Sequence, residues 1–317
     1  MSLGTSCLGY CARTLVNTTA GTYSNCGSCA WGYREEQGVC QPCKRPIGSY
    51  DMMFLVFHAL VPLFLHIRYV RKAKSSRTRI YEVAEHICIL LENLLACIST
   101  IMVYPPYGSF RLYACHKNSI KDWYPQHYTP MIDYQKMMRC SYEVVFPLLS
   151  IPYTHCIFLM IYTILLRGML YSLLLYKAHD GKPFYYALLS LPVIIVVHGL
   201  LSGVIYYTFP YIIFVCSLIA ITAQLAVEGK RSIWGIIVRF SKSGSRLLVL
   251  LIAMIMLAFS LISLLSLNYF NFDVPPLNVN LETIKRNWMI LLLVPLAPII
   301  YILTLPFSHP SVAFLSR

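Results

Sequence analysis

The chain has 317 residues, of which 57% are hydrophobic and only 12% charged, and its mean hydropathy is +0.61. Those values lie outside the usual range of a soluble globular domain and describe a membrane protein. The net charge of +13 sits mainly in short stretches between apolar runs, which discounts nucleic acid as a partner and favours anionic lipid headgroups.

Six of the twelve cysteines fall in the first 43 residues, as Cys7, Cys11, Cys26, Cys29, Cys40 and Cys43. A C-x3-C pair is thus followed by two C-x2-C pairs. Paired thiolates at that spacing suit one face of a tetrahedral zinc ion, although the ten residues between Cys29 and Cys40 are short for the motif. Three disulfides are the other solution, because a segment of about forty residues has too little core to fold without cross-links or metal. Asn17-Thr18-Thr19 is an acceptor site for N-glycosylation, used only in a secretory lumen. Thiols oxidise there, and the compartment therefore favours disulfides over zinc. Cys26-Gly27-Ser28-Cys29 looks like a redox dithiol, but no strand-helix-strand pattern surrounds it.

Behind this head, apolar runs of roughly 18 to 25 residues predict seven transmembrane helices. They cover about Tyr50–Val70, Ile87–Tyr104, Val144–Leu166, Phe184–Thr208, Pro210–Val227, Leu247–Leu267 and Trp288–Leu305. The fourth and fifth read as a hairpin with almost nothing between them. The fold class is an all-α membrane protein with a small cysteine-rich head: residues 1–49 form the head, 50–307 the membrane domain and 308–317 a short tail. The first twenty residues lack a continuous apolar core, so the first span is expected to act as an uncleaved signal.

Basic residues are retained on the cytosolic side. Arg68, Arg71, Lys72, Lys74, Arg77 and Arg79 follow the first span, and Lys230, Arg231, Arg239, Lys242 and Arg246 follow the fifth. Loops 71–79 and 228–246 are therefore assigned to the cytosol, with the head and loop 105–143 in the lumen and the tail cytosolic. Loop 105–143 carries Tyr113, Trp123, Tyr124, Tyr128 and Tyr134, read as an interfacial belt or as packing against the head. Cys115 and Cys140 bracket the loop and are expected to close it with a disulfide. Cys88, Cys97, Cys156 and Cys216 lie within spans and read as small buried apolar residues.

Glu92 and Asn93 sit inside the second span, with Glu82, Glu85 and His86 at its cytosolic end. A charge at the bilayer centre costs on the order of 3 kcal/mol by insertion scales, so Glu92 is expected to be neutral or paired within the bundle. The sequence names no partner for it. His58, His66, His155 and His198 also lie in or near spans, yet no H-E-x-x-H or comparable metal set appears. Glu82 and His86, one helical turn apart, read as a satisfied pair at a helix end. There is no P-loop, no G-x-S-x-G elbow and no segment outside the membrane long enough for a catalytic domain. No catalytic residue, metal or cofactor is assigned, and the chain is expected not to be an enzyme. A transporter or lipid-modifying enzyme centred on Glu92 is the alternative, and a seven-span receptor the third reading.

Several blocks together resemble one family: Cys7-Leu8-Gly9 with Tyr10-Cys11, the Cys26-Gly27-x-Cys29 pair, and Cys40-Gln41-Pro42-Cys43. Asp122-Trp123-Tyr124 with Asp133-Tyr134, Cys140 followed by Glu143, and Phe209-Pro210-Tyr211-Ile212-Ile213 complete the set. The combination is similar to the Jun-kinase-associated membrane protein family, from the first cysteine to about residue 230 and more weakly beyond. The resemblance implies a seven-span protein of the endoplasmic reticulum that recruits proteasomes and degradation components, including ubiquitin ligases, for clearance of misfolded proteins. A Jun kinase is the other implied partner. Arg71, Lys72, Lys74, Arg77 and Arg79, with Lys230 and Arg231, are the expected cytosolic contacts. Lys230-Arg231 followed by Ile233, Ile236 and Val238 has the shape of a kinase-docking peptide, while Trp234 among them better suits an interfacial helix.

Overall fold

The computed structural model describes residues 7, 9, 11–17, 21–72, 79–115, 117, 120–124, 140, 145–173, 182–226, 244–267 and 292–308. Two compact units divide the chain between Tyr206 and Tyr207. Lys74, Arg77, Thr18, Thr19, Tyr128, Tyr134, Lys230 and Arg231 lie outside the described residues.

The first unit opens with the head, built from three short antiparallel pairings. Strand β1 (Leu15–Asn17) pairs with β2 (Thr22–Tyr23), and β3 (Tyr33–Glu36) with β4 (Val39–Pro42). Gly38, at φ +78°, closes the tight β3–β4 turn in the left-handed region that glycine tolerates. The third pair joins β5 (Arg45–Pro46) to β6 (Tyr113–Ala114), so a strand of the loop completes the head. The head's core is largely sulfur: Cys11, Cys29, Cys40 and Cys140 are buried around Ala12, with Cys7 and Cys26 packed against them.

Four disulfides join Cys7 to Cys26, Cys29 to Cys40, Cys11 to Cys140 and Cys43 to Cys115. This corrects both expected pairings. Three bridges do not close within the head, and Cys115 does not bond Cys140; two bridges tie the head to the loop instead. The reason is the β5–β6 ladder, which brings residue 115 beside residue 43. All eight thiols are consumed, leaving no thiolate set for zinc. Cys26 and Cys29 have different partners, which removes the redox-dithiol reading.

Among the described residues, five stretches are long and apolar enough to cross a bilayer: Ser49–Lys72, Glu82–Val103, Ser150–Ser172, Lys182–Leu225 and Leu247–Leu265. Helix α1 (Ser49–Lys72) buries Tyr50, Asp51, Phe54, His58, Pro62, His66 and Val70, a three-to-four-residue repeat that defines one face. Helix α2 (Arg79–Val103) starts two turns before the expected span and buries Glu85, Ile89, Glu92, Ala96 and Thr100. The inward faces thus hold the polar groups, while Val56, Phe64, Leu90, Leu91 and Leu94 point outward, as lipid rather than water would select. Helix α3 (Ser150–Tyr162) begins six residues after the expected start at Val144, because Val145, Phe146 and Leu148 are buried in the turn that precedes it. It runs through a π-helical turn, Thr163–Arg167, into α4 (Gly168–Leu173).

Helix α5 (Lys182–Ala226) is continuous over 45 residues. The expected hairpin at Phe209-Pro210 is therefore not formed. No turn-forming glycine or polar pair stands at that point, and a proline alone removes one helical N–H without ending the helix. The same holds at Pro62 and Pro192, where α1 and α5 also run on. Gly199 and Gly203 of α5 lie four residues apart. A Cβ on Gly203 would sit 2.9 Å from the Trp123 Cβ and 3.0 Å from Tyr124 Cε2. Trp123 closes the 3-10 turn Ile120–Trp123, is buried, and packs on Phe54 and Tyr206 at 5.9 and 5.0 Å between ring centroids. Gly203→Leu is expected to destabilise the protein by about 1–3 kcal/mol through overpacking, read as a lower unfolding midpoint in detergent. An unchanged midpoint would reject this close approach.

In the second unit, Ile221 and Leu225 of α5 pack with Ala253, Leu257 and Leu261 of α6 (Gly244–Leu267). Val294 and Ala297 of α7 (Leu293–Ser308) complete that core.

Candidate functional site

The buried polar face of α2 meets its partners at Glu92. The Glu92 and Arg167 side chains are both fully buried and form an ion pair between Oε2 and Nη2. Arg167 Nε also donates to Glu92 Oε1 at 3.0 Å, making the contact bidentate. Thr163 Oγ1 donates to Oε2 at 3.1 Å and Cys88 Sγ to Oε1 at 3.3 Å. Arg167 Nη2 further donates to His66 Nδ1 of α1 at 3.3 Å, while Nη1 has no partner among the described residues. One network therefore joins α1, α2 and the π turn. The π turn is what makes it possible: it holds both Thr163 and Arg167, and both side chains are aimed inward at the same carboxylate. One turn and more toward the α2 N-terminus, the buried Glu85 accepts a 2.7 Å hydrogen bond from the Tyr171 hydroxyl of α4.

The sequence points to Glu92 as needing a partner and misses Arg167, which follows immediately after the expected end of the third span. A basic residue at a span end reads as an interfacial anchor; its being within reach of an unpaired carboxylate is the signal that identifies it. Asn93 is half-buried and its Oδ1 has no partner among the described residues, so it stands beside the network without joining it. His86 donates to the Glu82 backbone carbonyl at 2.5 Å, a local contact one helical turn apart. Of the four span cysteines expected to be buried, Cys156 is; Cys88 and Cys97 are half-buried and Cys216 is exposed. Arg71 and Lys72 are exposed at the end of α1, Arg79 opens α2, and Asn17 ends β1.

A second polar centre lies at the opposite end of α1. Asp51 and Lys117 are buried and paired at 2.6 Å, and the Tyr206 hydroxyl donates to the same Asp51 oxygen at 2.6 Å. Lys117 Nζ lies 5.1 Å from the Tyr206 ring centroid, a cation–π contact. The Tyr50 hydroxyl donates to the Tyr206 backbone carbonyl at 2.6 Å. With the bridges Cys11–Cys140 and Cys43–Cys115, this centre fastens the loop to both head and helices. Tyr124 of the loop reaches α5 as well, donating to the Leu200 carbonyl at 3.2 Å.

The resemblance drawn from the cysteine blocks is matched on a wider scale. A family described as "JNK1/MAPK8-associated membrane protein" matches residues 7–310.

The chain belongs to that family.

The match to the JNK1/MAPK8-associated membrane protein family extends past residue 230, to residue 310. A Caenorhabditis elegans relative, the "JNK1/MAPK8-associated membrane protein homolog", is 44% identical, over 96% of this chain and 94% of its own. The mouse and human proteins named "JNK1/MAPK8-associated membrane protein" are each 31% identical over the same shares. No solved structure matches. Membership of this family and the apolar helices together make the chain a membrane protein, and the names of the mouse and human members associate those proteins with a JNK1/MAPK8 kinase.

Proposed function

We propose that this chain is an adaptor of the endoplasmic reticulum membrane. Its head and loop 105–143 face the lumen, and its basic stretches 71–79 and 228–246 face the cytosol. There it holds a Jun-type kinase, proteasomes and ubiquitin-ligase components, so that misfolded proteins are cleared at the membrane. One observation carries the sidedness: Cys11–Cys140 and Cys43–Cys115 join the head to the loop that follows α2. Disulfides persist in oxidising compartments. Head and loop then share the lumen, and α1 and α2 make one excursion whose far end carries the exposed Arg71 and Lys72, in keeping with basic residues being retained in the cytosol. The names of the mouse and human relatives support the kinase, and the family resemblance supports the degradation role.

The work is binding and not catalysis. Both oxygens of Glu92 accept from Arg167 and neighbouring donors, so the carboxylate is occupied as a structural counter-ion and is not held ready as a base. A cytosolic 228–246 requires residues 182–226 to cross twice, with the helix opening near Pro210, which differs from the continuous α5 of this structure. A single crossing there would put Lys230 and Arg231 on the head's side.

Sidedness is tested by glycosylation. Asn17 should carry a glycan sensitive to a high-mannose-specific glycosidase, and acceptor sites inserted at residue 75 or 236 should stay unmodified; a glycan at 236 sinks the seven-crossing arrangement. For the partners, changing Arg71, Lys72, Lys74, Arg77 and Arg79 to Gln should lower kinase and proteasome association rates by about tenfold at low salt. Unchanged recovery from gently solubilised membranes rejects that loop as the contact.

A further inference from the structure

Between α1, α2 and α3, on the head's side of the membrane domain, lies a cavity of about 200 Å³. Its wall is apolar except for His58, His155, Cys97 and Thr100. Met52 and Val56 also line it, and both lie on the outward, exposed face of α1. The mouth therefore opens toward acyl chains, and an occupant would arrive from the bilayer.

The two histidines set the chemistry. Both are more than nine-tenths buried. Among the described residues, His155 has no hydrogen-bond partner at either ring nitrogen, and His58 has none at Nε2. A neutral imidazole carries one N–H donor and one bare nitrogen acceptor, so hydrocarbon filling this space would leave His155 with both unmet. Thr100 is already satisfied, donating to the Ala96 carbonyl at 2.6 Å. His198, beside His58 at 4.5 Å between ring centroids, gives its Nε2–H to the Leu149 carbonyl at 3.0 Å. His198 Nδ1 also has no partner among the described residues, but His198 does not line the cavity, whereas His58 and His155 do. His155 lies five residues into α3, about 8 Å along the helix from its head-side end, within reach of a lipid's polar end.

We propose that this cavity binds a membrane alcohol, a sterol or a diacylglycerol, whose single hydroxyl donates to one ring nitrogen of His155 or His58 and accepts from another while its apolar body lies along Leu55 and Ile101. A hydroxyl matches the paired donor and acceptor of an imidazole, whereas a charged headgroup would have no counter-ion on this wall. A ring system or one chain segment suits the volume, since a dry cavity of about 150 Å³ takes up benzene.

The test uses the full chain in phosphatidylcholine nanodiscs, with photoreactive, clickable analogues of cholesterol and of diacylglycerol. Each is compared with its methyl ether, which loses the donated proton. One hydroxyl probe should label a peptide containing residues 52–59, 97–101 or 151–155 saturably, and the methyl ether should label about tenfold less. Bound ligand should also slow alkylation of Cys97. Sterol-only or glyceride-only labelling supports the proposal and names the source. Equal labelling by blocked and free probes, or no saturable labelling, overturns it. His155→Asn, which keeps a donor and an acceptor, should retain labelling that His155→Leu loses. The probe comparison uses the unaltered protein and so holds even if a variant fails to fold.

Discussion

Arg167→Ala is expected to destabilise the protein by about 3–5 kcal/mol, the range for breaking one side of a buried ion pair. The alanine removes a guanidinium that makes two contacts to Glu92 and one to His66. What remains is a fully buried carboxylate held, among the described residues, by Thr163 and Cys88. In hydrocarbon no water enters to replace the lost donors, so Glu92 must take up a proton or the helices must separate. Glu92→Leu should have a comparable effect, because it strands the guanidinium instead. The double variant Glu92→Leu/Arg167→Leu removes both charges and should recover most of the loss, since apolar replacement of a whole buried pair is often neutral. Unfolding midpoints of the unaltered protein, Arg167→Leu, Glu92→Leu and the Glu92→Leu/Arg167→Leu double variant in one detergent form a double-mutant cycle. Strictly additive losses would sink the pairing. A large coupling with normal partner recovery in the double variant would place the network in architecture, in agreement with an adaptor.

Loss of the two bridges between head and loop should be the other large effect. Cys43–Cys115 spans 72 residues and Cys11–Cys140 spans 129, and bridges closing chain lengths near 100 residues contribute on the order of 4 kcal/mol in the chain-entropy view. Membrane helices persist in the denatured state and already shorten the free chain, so each bridge should deliver less than that bound. Cys29–Cys40 closes only 11 residues and should matter less. The expected order of stability losses, measured by thermal unfolding, is Cys43→Ser/Cys115→Ser above Cys29→Ser/Cys40→Ser. Non-reducing peptide mapping of the unaltered protein checks the premise directly. A Cys43 peptide should be joined to a Cys115 peptide, and a Cys11 peptide to a Cys140 peptide. Recovery of Cys115 joined to Cys140 would restore the self-closed loop and detach the head, removing the main support for shared sidedness.

The membrane class, the existence of apolar spans and the need for cross-links in the head were legible in the amino-acid order. Each depends on local sums: hydropathy over a window, or the shortage of core in a short cysteine-rich segment. Glu92 was legible in the same way, as an intramembrane carboxylate that must be answered. What answers it was decided by the tertiary structure. Arg167 faces inward on a π turn, and no window average reports the rotation of a helix about its axis. The cysteine partners likewise depend on which strands meet. The β5–β6 ladder brings together residues far apart in sequence, and spacing alone leaves fifteen pairings of six cysteines equally open. Asp51 and Lys117, 66 residues apart, became a pair only because the loop folds back onto α1. At Phe209-Pro210, where a hairpin is expected, helical hydrogen bonding in an apolar setting prevails and the chain runs on as one helix. Local chemistry states which groups require a partner, and only packing in three dimensions selects it.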